Sequence, residues 1–331
     1  MPKDKSSSSK YSLKSWLHGE KTLISDRKRI FCQVRSKKVL HEIRNDIGDS
    51  LIWVSVDETT DSCGRYVANV FVGKMDSIDA GSPHLIMCTV SEKTNHATIA
   101  RTVKYALRLL WPTTEHEERL LALTNNAAYV LKAAGTLQVI YPKMIHITCI
   151  VHSLHRTAEE IRSQHPKPNN LISSVKKAFV KVLHLLNPEG AACINSAILA
   201  DDVGIQSELS YIGAHIKTLP ETMTKLEERG LQLTTAMSLL NTVTTSFNKV
   251  PESLGTIQTE KMKKTEERNP DLETVKNISG ILQGEPQAVQ NYTPKEIAAF
   301  KYCPLNSCEV ESTFSVYQNI LADSHRRGSV G

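Results

Sequence analysis

Three extended runs follow one another closely in the first third of the chain and constrain its fold more than any other feature. They occupy residues 51–56, 66–72 and 85–90, and each is mostly apolar and rich in β-branched residues. Short turns separate them, around 63–65 and at 81–83, where a glycine and a proline stand close together. Consecutive strands joined by short turns predict an antiparallel meander.

After the meander the sequence alternates between helical and extended periodicity, and an amphipathic helix over 29–47 is predicted before it. Helices are predicted at 97–110, 127–134 and 151–161, and strands at 120–123 and 144–150. The resulting element order β-β-β-α-β-α-β-α is that of the ribonuclease H-like architecture, an α/β fold with a mixed sheet whose strand ends bring acidic residues together.

The second half of the chain has a different periodicity. Apolar residues recur at intervals of three and four from residue 171 to about 284, which predicts a large all-helical insertion interrupted near Pro220, and a last helix is expected at 307–321. The predicted organisation is a basic disordered N-terminal arm over 1–28, a ribonuclease H-like core over 29–165, the helical insertion over 166–290, and a segment over 291–331 whose helix returns to the sheet and completes the core.

Positive charge is concentrated at the N-terminus. Residues 1–40 contain eleven Lys or Arg and three Asp or Glu, although the whole chain has a net charge of only +5. A basic arm of this kind is typical of nucleic-acid binding, because each neutralised phosphate releases condensed counterions. The candidate DNA-binding residues are Arg27, Lys28, Arg29, Lys37 and Lys38. A solvated tail and a nuclear import signal are the alternatives.

Composition excludes several other classes. The seven cysteines are scattered and form no C-x-x-C pair, so neither a disulfide framework nor a zinc finger is supported, and a reducing compartment is expected. The sequence has no apolar run of the ~18 residues that a membrane span needs, and its basic start lacks the apolar region of a signal peptide. We therefore expect no membrane association.

Asp57 is the first candidate catalytic residue. It follows the apolar run that begins at Leu51. Enzymes that transfer polynucleotide strands deliver their first metal ligand in this way, and they need about three carboxylates around two Mg²⁺ ions roughly 3.5–4 Å apart. The meaning of Asp57 therefore depends on whether partner acids exist.

Four segments carry a resemblance to a known family. The first reads Trp53-Val-Ser-Val-Asp57-Glu-Thr-Thr-Asp61-x-x-Gly64-Arg65-x-Val-Ala-Asn69-Val, and the others occupy 141–162, 219–230 and 308–317. Together they resemble hAT-type transposases, in the subgroup that derives from such elements and is related to CGG-repeat-binding proteins. The resemblance covers about residues 30–327.

The resemblance implies a set of catalytic positions. Asp57 matches the first acid of the family and Glu311 the last, in a Glu-x-x-Phe-Ser context. The second acid of the family falls on Asn125, within Thr124-Asn125-Asn126-Ala127. An amide brings no negative charge to a divalent cation, which depends chiefly on carboxylates and waters. The resemblance therefore implies lost catalysis and no cofactor, or Mg²⁺ or Mn²⁺ at Asp57 and Glu311 if another acid replaces Asn125.

Other departures from the family point the same way. The zinc finger and the tryptophan-containing segment that the family carries have no counterpart here. The resemblance also implies a truncated dimerisation segment, so any homodimer is expected to be impaired. We therefore interpret the protein as the product of a degenerate or domesticated transposable element. It is expected to be nuclear, associated with DNA and catalytically inactive. The alternatives are an active metal-dependent DNA transposase or nuclease, and a protein-interaction scaffold that does not bind DNA.

Cysteine and histidine recur at three-residue spacing in His146, Cys149, His152 and His155. These residue types bind zinc, but a strand followed by a helix would make the side chains diverge. Catalysis by a cysteine–histidine pair would also need a spatially arranged base and an oxyanion site, which no motif indicates. In the resembled family the Cys-x-x-His pair, here Cys149 and His152, supports the active site and the positioning of DNA. The residues by themselves favour a packed structural role.

Overall fold

The protein has an α/β fold in which a mixed sheet is combined with many helices. The computed structural model describes residues 23–25, 30–60, 66–91, 95–113, 117–125, 130–170, 173, 203–248, 250 and 252–307. The strands are β1 (Leu23–Ser25), β2 (Ile30–Cys32), β3 (Leu51–Thr60), β4 (Tyr66–Met75), β5 (His84–Ser91), β6 (Leu120–Asn125) and β7 (Ile145–Thr148). The helices are α1 (Gln33–Ile47), α2 (His96–Leu110), α3 (Val130–Gln138), α4 (Ile150–Ser163), α5 (Val203–Ile216), α6 (Thr218–Leu226), α7 (Leu233–Phe247), α8 (Glu252–Glu267), α9 (Leu272–Leu282) and α10 (Pro294–Ala299).

The main sheet has five strands in the order β5-β4-β3-β6-β7. β3 pairs antiparallel with β4, and β4 pairs antiparallel with β5, so the predicted meander is confirmed. On its other side β3 pairs parallel with β6, which the chain reaches only after crossing over through α2. The sheet is therefore mixed, with β3 at its centre.

Two predictions near the start of the sheet were wrong. The first strand does not end before Asp57 but continues to Thr60, because the β3–β4 ladder extends to the pair Thr60 and Tyr66. The helix predicted from residue 29 begins at Gln33 instead, because Ile30–Cys32 forms β2 and pairs with β1. The apolar and aromatic residues of β2 suit a strand as well as a helix, and this run is too short for periodicity to separate the two.

One face of the sheet packs against α1, α2 and α3. Ile52, Val54 and Val56 alternate along β3 and join one buried core with the apolar residues of these helices, because side chains two residues apart in a strand point to the same face. On α2 the contribution comes from Ile99, Val103, Ala106, Leu107 and Leu110. Asn95 caps the N-terminus of α2, because its side chain accepts a hydrogen bond from the backbone N–H of Thr98 at 2.9 Å.

Two arginines hold the ends of these elements together. Arg44 on α1 donates hydrogen bonds to the carbonyls of Leu109 and Leu110, which close the C-terminus of α2 where positive charge is favourable. Arg119 donates to the carbonyls of Gly48 and Ser50, and its guanidinium lies 4.6 Å from the ring centroid of Trp111. The turn after α1 and the start of β6 are therefore held by the same side chain.

The remaining helices form a second compact unit. The first unit comprises the described residues up to Asp76 together with Gly81–Ile145, and the second comprises Ser77–Ala80 and the described residues from His146 to Ser307. In the second unit α4 packs against α6 and α8, and α7 packs against α6, α8 and α9. The prediction of a helix break near Pro220 is confirmed, since α5 ends at Ile216 and Pro220 lies in the first turn of α6, where a missing N–H costs nothing.

Candidate functional site

Asp57 lies on the face of β3 opposite to the one that packs against α1, α2 and α3. Trp53, Ser55 and Asp57 share this face, and their exposed fractions are only 5%, 2% and 8%. Asp57 is therefore a buried carboxylate inside a strand, three residues before the strand ends at Thr60. The backbone of Asp57 pairs with Asn69 on β4, so the carboxylate is held within the sheet and cannot swing freely into solvent.

Asp57 belongs to a group of buried polar side chains that we call the polar cluster: Ser55, Asp57, Asn69 and Thr124. Asn69 is the cross-strand partner of Asp57 on β4, and Thr124 is the partner of Ser55 on β6. Asn69 and Thr124 are each 1% exposed. The Oγ of Ser55, the Oδ1 of Asn69 and the Oγ1 of Thr124 have no hydrogen-bond partner within the described part of the chain.

Buried polar oxygens without partners are uncommon in native proteins, because each costs ~1–3 kcal/mol of desolvation. Three of them around one carboxylate mark this region of the sheet as the candidate site. No site role was predicted from the sequence for Ser55, Asn69 or Thr124, although Ser55 and Asn69 lie in the first segment that carries the family resemblance and Thr124 directly precedes Asn125. The available signal was an asparagine inside the apolar run of β4, since asparagine is depleted in strands.

Asn125 is the last residue of β6, and its backbone pairs with Val56 rather than with Asp57. Neighbouring strands lie about 4.8 Å apart, so Asp57 and Asn125 stand on adjacent strands, one residue out of register. The side chain of Asn125 and the whole of Glu311 fall outside the described residues. The structure thus brings two of the three predicted positions to neighbouring strands.

The structure describes only some of the five predicted DNA-binding residues. Arg27, Lys28 and Arg29 lie outside the described residues, and of Lys37 only the backbone is described, within α1. Lys38 is exposed on α1 and forms an ion pair with Glu42, at 3.8 Å between Nζ and Oε1. Part of its charge is therefore compensated within its own helix.

Cys149 and His152 lie in the second unit, at the start of α4. Cys149 is 1% exposed, and its Sγ accepts a hydrogen bond from the backbone N–H of Ser307 at 3.3 Å. The next N–H, that of Ile150, donates to the carbonyl of Leu305 at 3.0 Å. Cys149 therefore anchors the chain segment at Leu305 and Ser307, which fits the packed structural role that the residues favoured.

A zinc site is not formed by the histidines and cysteines of this region. His155 is exposed on α4 and stands 3.9 Å from Glu159, whereas His146 is buried on β7. Among the described residues, no three His, Cys, Asp or Glu side chains come together in a way that could hold a metal ion. Burial lowers the pKa of His146 from 6.5 to about 4, so this imidazole is neutral at physiological pH.

Within the second unit, side chains cover the edge of β7 at His146 and Thr148. The backbone N–H of His146 donates to Oδ2 of Asp271 at 2.8 Å, and that of Thr148 donates to Oδ1 of Asn269 at 2.6 Å. These two N–H groups lie two residues apart on one edge of the strand, and without these partners they would be open to pairing with another strand. Asn269 and Asp271 thus take the place of a neighbouring strand here.

Cys303 is a second buried thiol among the described residues, and its burial disfavours the reactive thiolate. Burial raises the pKa of Cys303 from 9.0 to about 12, so it carries almost no thiolate near neutral pH.

Comparisons with known proteins do not identify a relative. No family model matches the chain, and none of the curated proteins matches it. Among the helices of the described residues, none is long and apolar enough to cross a membrane.

Proposed function

We propose that this protein is a DNA-associated relative of hAT transposases whose ribonuclease H-like domain no longer catalyses strand transfer, and that it acts in the nucleus. The observation that carries the proposal is the sheet itself, in which central β3 is antiparallel to β4 and parallel to β6. In a ribonuclease H-like sheet the first two catalytic acids stand on these two parallel strands. Here the corresponding positions are Asp57 and Asn125.

The chemistry of the two positions supports a loss of catalysis. A two-metal centre holds divalent cations about 3.5–4 Å apart between carboxylates and stabilises both the attacking and the leaving oxygen. Asn125 offers an amide oxygen but no charge, so the residues present do not fit a tightly held metal pair. If the protein were active, Mg²⁺ or Mn²⁺ would be held by Asp57 and Glu311, and another acid would have to replace Asn125.

A nicking assay on supercoiled plasmid with Mg²⁺ or Mn²⁺ tests the loss of catalysis. We expect no nicking by the wild-type protein and no difference from Asp57→Asn, which is nearly isosteric and removes the carboxylate charge at position 57. Metal-dependent nicking that disappears in Asp57→Asn would replace the proposal with an active nuclease or transposase. Nicking that persists in Asp57→Asn would instead identify a contaminating nuclease.

The DNA-binding part of the proposal rests on the basic N-terminal region. Its test is fluorescence anisotropy of a labelled duplex over a salt series, with the full chain and with a variant in which Arg27, Lys28, Arg29, Lys37 and Lys38 are replaced by Gln. We expect wild-type binding that weakens steeply with salt, and a shallower dependence for the variant, because counterion release scales with the number of phosphates contacted.

Two outcomes would change this part of the proposal. Equal salt dependence of the two proteins would exclude the arm as the contact. Absence of wild-type binding at low salt would favour the alternative of a protein-interaction scaffold that does not bind DNA. Nuclear location is tested separately, by imaging a fluorescent fusion of the full chain and of the same five-residue variant.

A further inference from the structure

We infer that the outer face of α2 is a second DNA contact, a surface that binds the phosphate backbone of duplex DNA. The face consists of Arg101, Lys104, Tyr105 and Arg108, and we call it the α2 stripe. The inference rests on the proposed DNA association and adds to it a surface on the folded domain, separate from the N-terminal arm.

The geometry of α2 places these side chains on one line. Residues at intervals of three and four lie on the same face of a helix, and the intervals from Arg101 to Arg108 follow this pattern. The buried residues of the helix lie on its other side, where they join the core under the sheet. Arg101 and Arg108 are exposed, and Tyr105 is 44% exposed.

The stripe has a size that suits the DNA backbone. The distance along the helix axis from Arg101 to Arg108 is about 10 Å, because each residue rises 1.5 Å. This corresponds to about three steps of 3.4 Å along one DNA strand, so up to three phosphates lie within reach of the three cations. Tyr105 lies between them in sequence, and tyrosine hydroxyls are among the groups that donate to phosphate oxygens.

The charge of the stripe is not compensated. α2 contains three Lys or Arg and no Asp or Glu. Within the described part of the chain, Arg101, Lys104 and Arg108 form no ion pair, whereas Lys261 pairs with Glu160 at 3.0 Å and Lys276 pairs with Glu266 at 2.9 Å. Like charges three and four residues apart repel each other in a helix. A polyanion on this face would relieve that repulsion.

Arg108 and an acidic residue act on the same buried side chain. Glu117 and Arg108 act in opposite directions on the pKa of buried Tyr141, which burial raises to about 12. Arg108 therefore shares its surroundings with an acid, and we expect Arg101 and Lys104, on the side toward the N-terminus of α2, to make the stronger contacts.

The test compares two variants of the full chain that lose the same charge. The stripe variant carries Arg101→Gln, Lys104→Gln and Arg108→Gln. The matched control carries Lys263→Gln, Lys264→Gln and Arg268→Gln, which are exposed positions near the end of α8 where Glu266 and Glu267 interleave with the cations. Glutamine keeps a helix propensity close to that of Lys and Arg, so circular dichroism and thermal unfolding should match wild type in both variants.

The readout is the slope of log K against log salt for a labelled duplex of random sequence. Each lost phosphate contact lowers the slope by about 0.9, so the stripe variant should lose about 2.7 and the control almost nothing. Lys104→Glu serves as a second variant, and it should weaken binding more than Lys104→Gln because it adds repulsion.

Each outcome decides the inference. Wild-type binding with equal slopes for the stripe variant and the control overturns the α2 stripe but leaves the proposed DNA association standing. Absence of wild-type binding overturns both. A loss of slope in the stripe variant that adds to the loss caused by neutralising the N-terminal arm supports two independent DNA contacts on one chain.

Discussion

The thiol of Cys149 accepts a hydrogen bond from the backbone N–H of Ser307, which is buried and 158 residues distant in sequence. This contact fixes the chain just before the segment that contains Glu311, the last of the expected acids, which follows Ser307 by four residues. Cys149 therefore fixes the position of the backbone at Ser307, and the strength of this contact can be measured through the free energy of unfolding.

Replacing Cys149 by Ala should destabilise the protein more than the same change at Cys303. Both substitutions remove a buried thiol, but only Cys149→Ala also leaves a buried N–H without an acceptor, which costs ~1–3 kcal/mol. Urea unfolding of the two variants measures the difference. Equal destabilisation would mean that the Sγ contact with Ser307 contributes nothing beyond packing.

Removing the side chain of Asn269 should expose the edge of β7. Asn269 accepts hydrogen bonds from the backbone N–H and the hydroxyl of Thr148 and donates to the carbonyl of Thr265 at 2.8 Å. Asn269→Ala leaves the partly buried N–H of Thr148 unpaired, and we expect a loss of ~1–3 kcal/mol in the free energy of unfolding.

Asn241→Ala, at an exposed position of α7, is the control for Asn269→Ala and should change stability by less than ~0.5 kcal/mol. Light scattering on both variants tests the protective role of the edge directly. Increased self-association of Asn269→Ala alone would agree with an uncovered strand edge, whereas equal behaviour would assign no protective role to Asn269.

The indole of Trp53 packs against Gly73, so a side chain at Gly73 should destabilise the protein. A Cβ at Gly73 would overlap the indole ring of Trp53, its partner across β3 and β4. Gly73→Ala should therefore move the indole, change its fluorescence, and destabilise the protein by ~1–3 kcal/mol through overpacking.

Gly135 provides the opposite control. It lies on α3 with nothing within 4 Å of the position that a Cβ would take. Gly135→Ala should stabilise the protein by roughly 0.5–1 kcal/mol, because alanine is the better helix former. If both substitutions destabilised the protein equally, the explanation through Trp53 would be incorrect.

The low pKa of buried His146 predicts that the protein loses stability in mild acid. Its pKa is about 4 in the folded protein and 6.5 in its ordinary state, because burial disfavours the charged imidazolium. As the pH falls from 6.5 toward 4, the unfolded chain therefore binds a proton that the folded chain does not. Stability should decrease over this window, by about 3 kcal/mol in total from this one group.

His146→Gln should remove that part of the pH dependence, whatever its effect on stability at neutral pH. Exposed His96 offers the control, and His96→Gln should leave the slope between pH 4 and pH 6.5 as it is in the wild-type protein. Urea unfolding at several pH values gives the slopes. An unchanged slope in His146→Gln would show that other groups dominate acid unfolding.

Much of the main sheet could be predicted from the sequence, because period-2 alternation and short turns are local properties. The meander of β3, β4 and β5 and the later strands β6 and β7 all follow from such patterns. Local patterns failed where the two periods overlap, as in Ile30–Cys32, and where pairing with a distant strand extends an element, as in Thr60.

The residue types of the proposed sites can be read from the chain alone: a carboxylate at Asp57, an amide at Asn125, and cations at intervals of three and four along α2. Which of the chain's groups share an environment depends on the fold. Cross-strand register set Asn69 opposite Asp57 and Thr124 beside Ser55, and folding buried all four side chains. Long-range contacts likewise joined Cys149 to Ser307 and Asn269 to Thr148. Register and burial depend on which strands and helices pack together, and no local pattern of residues encodes them.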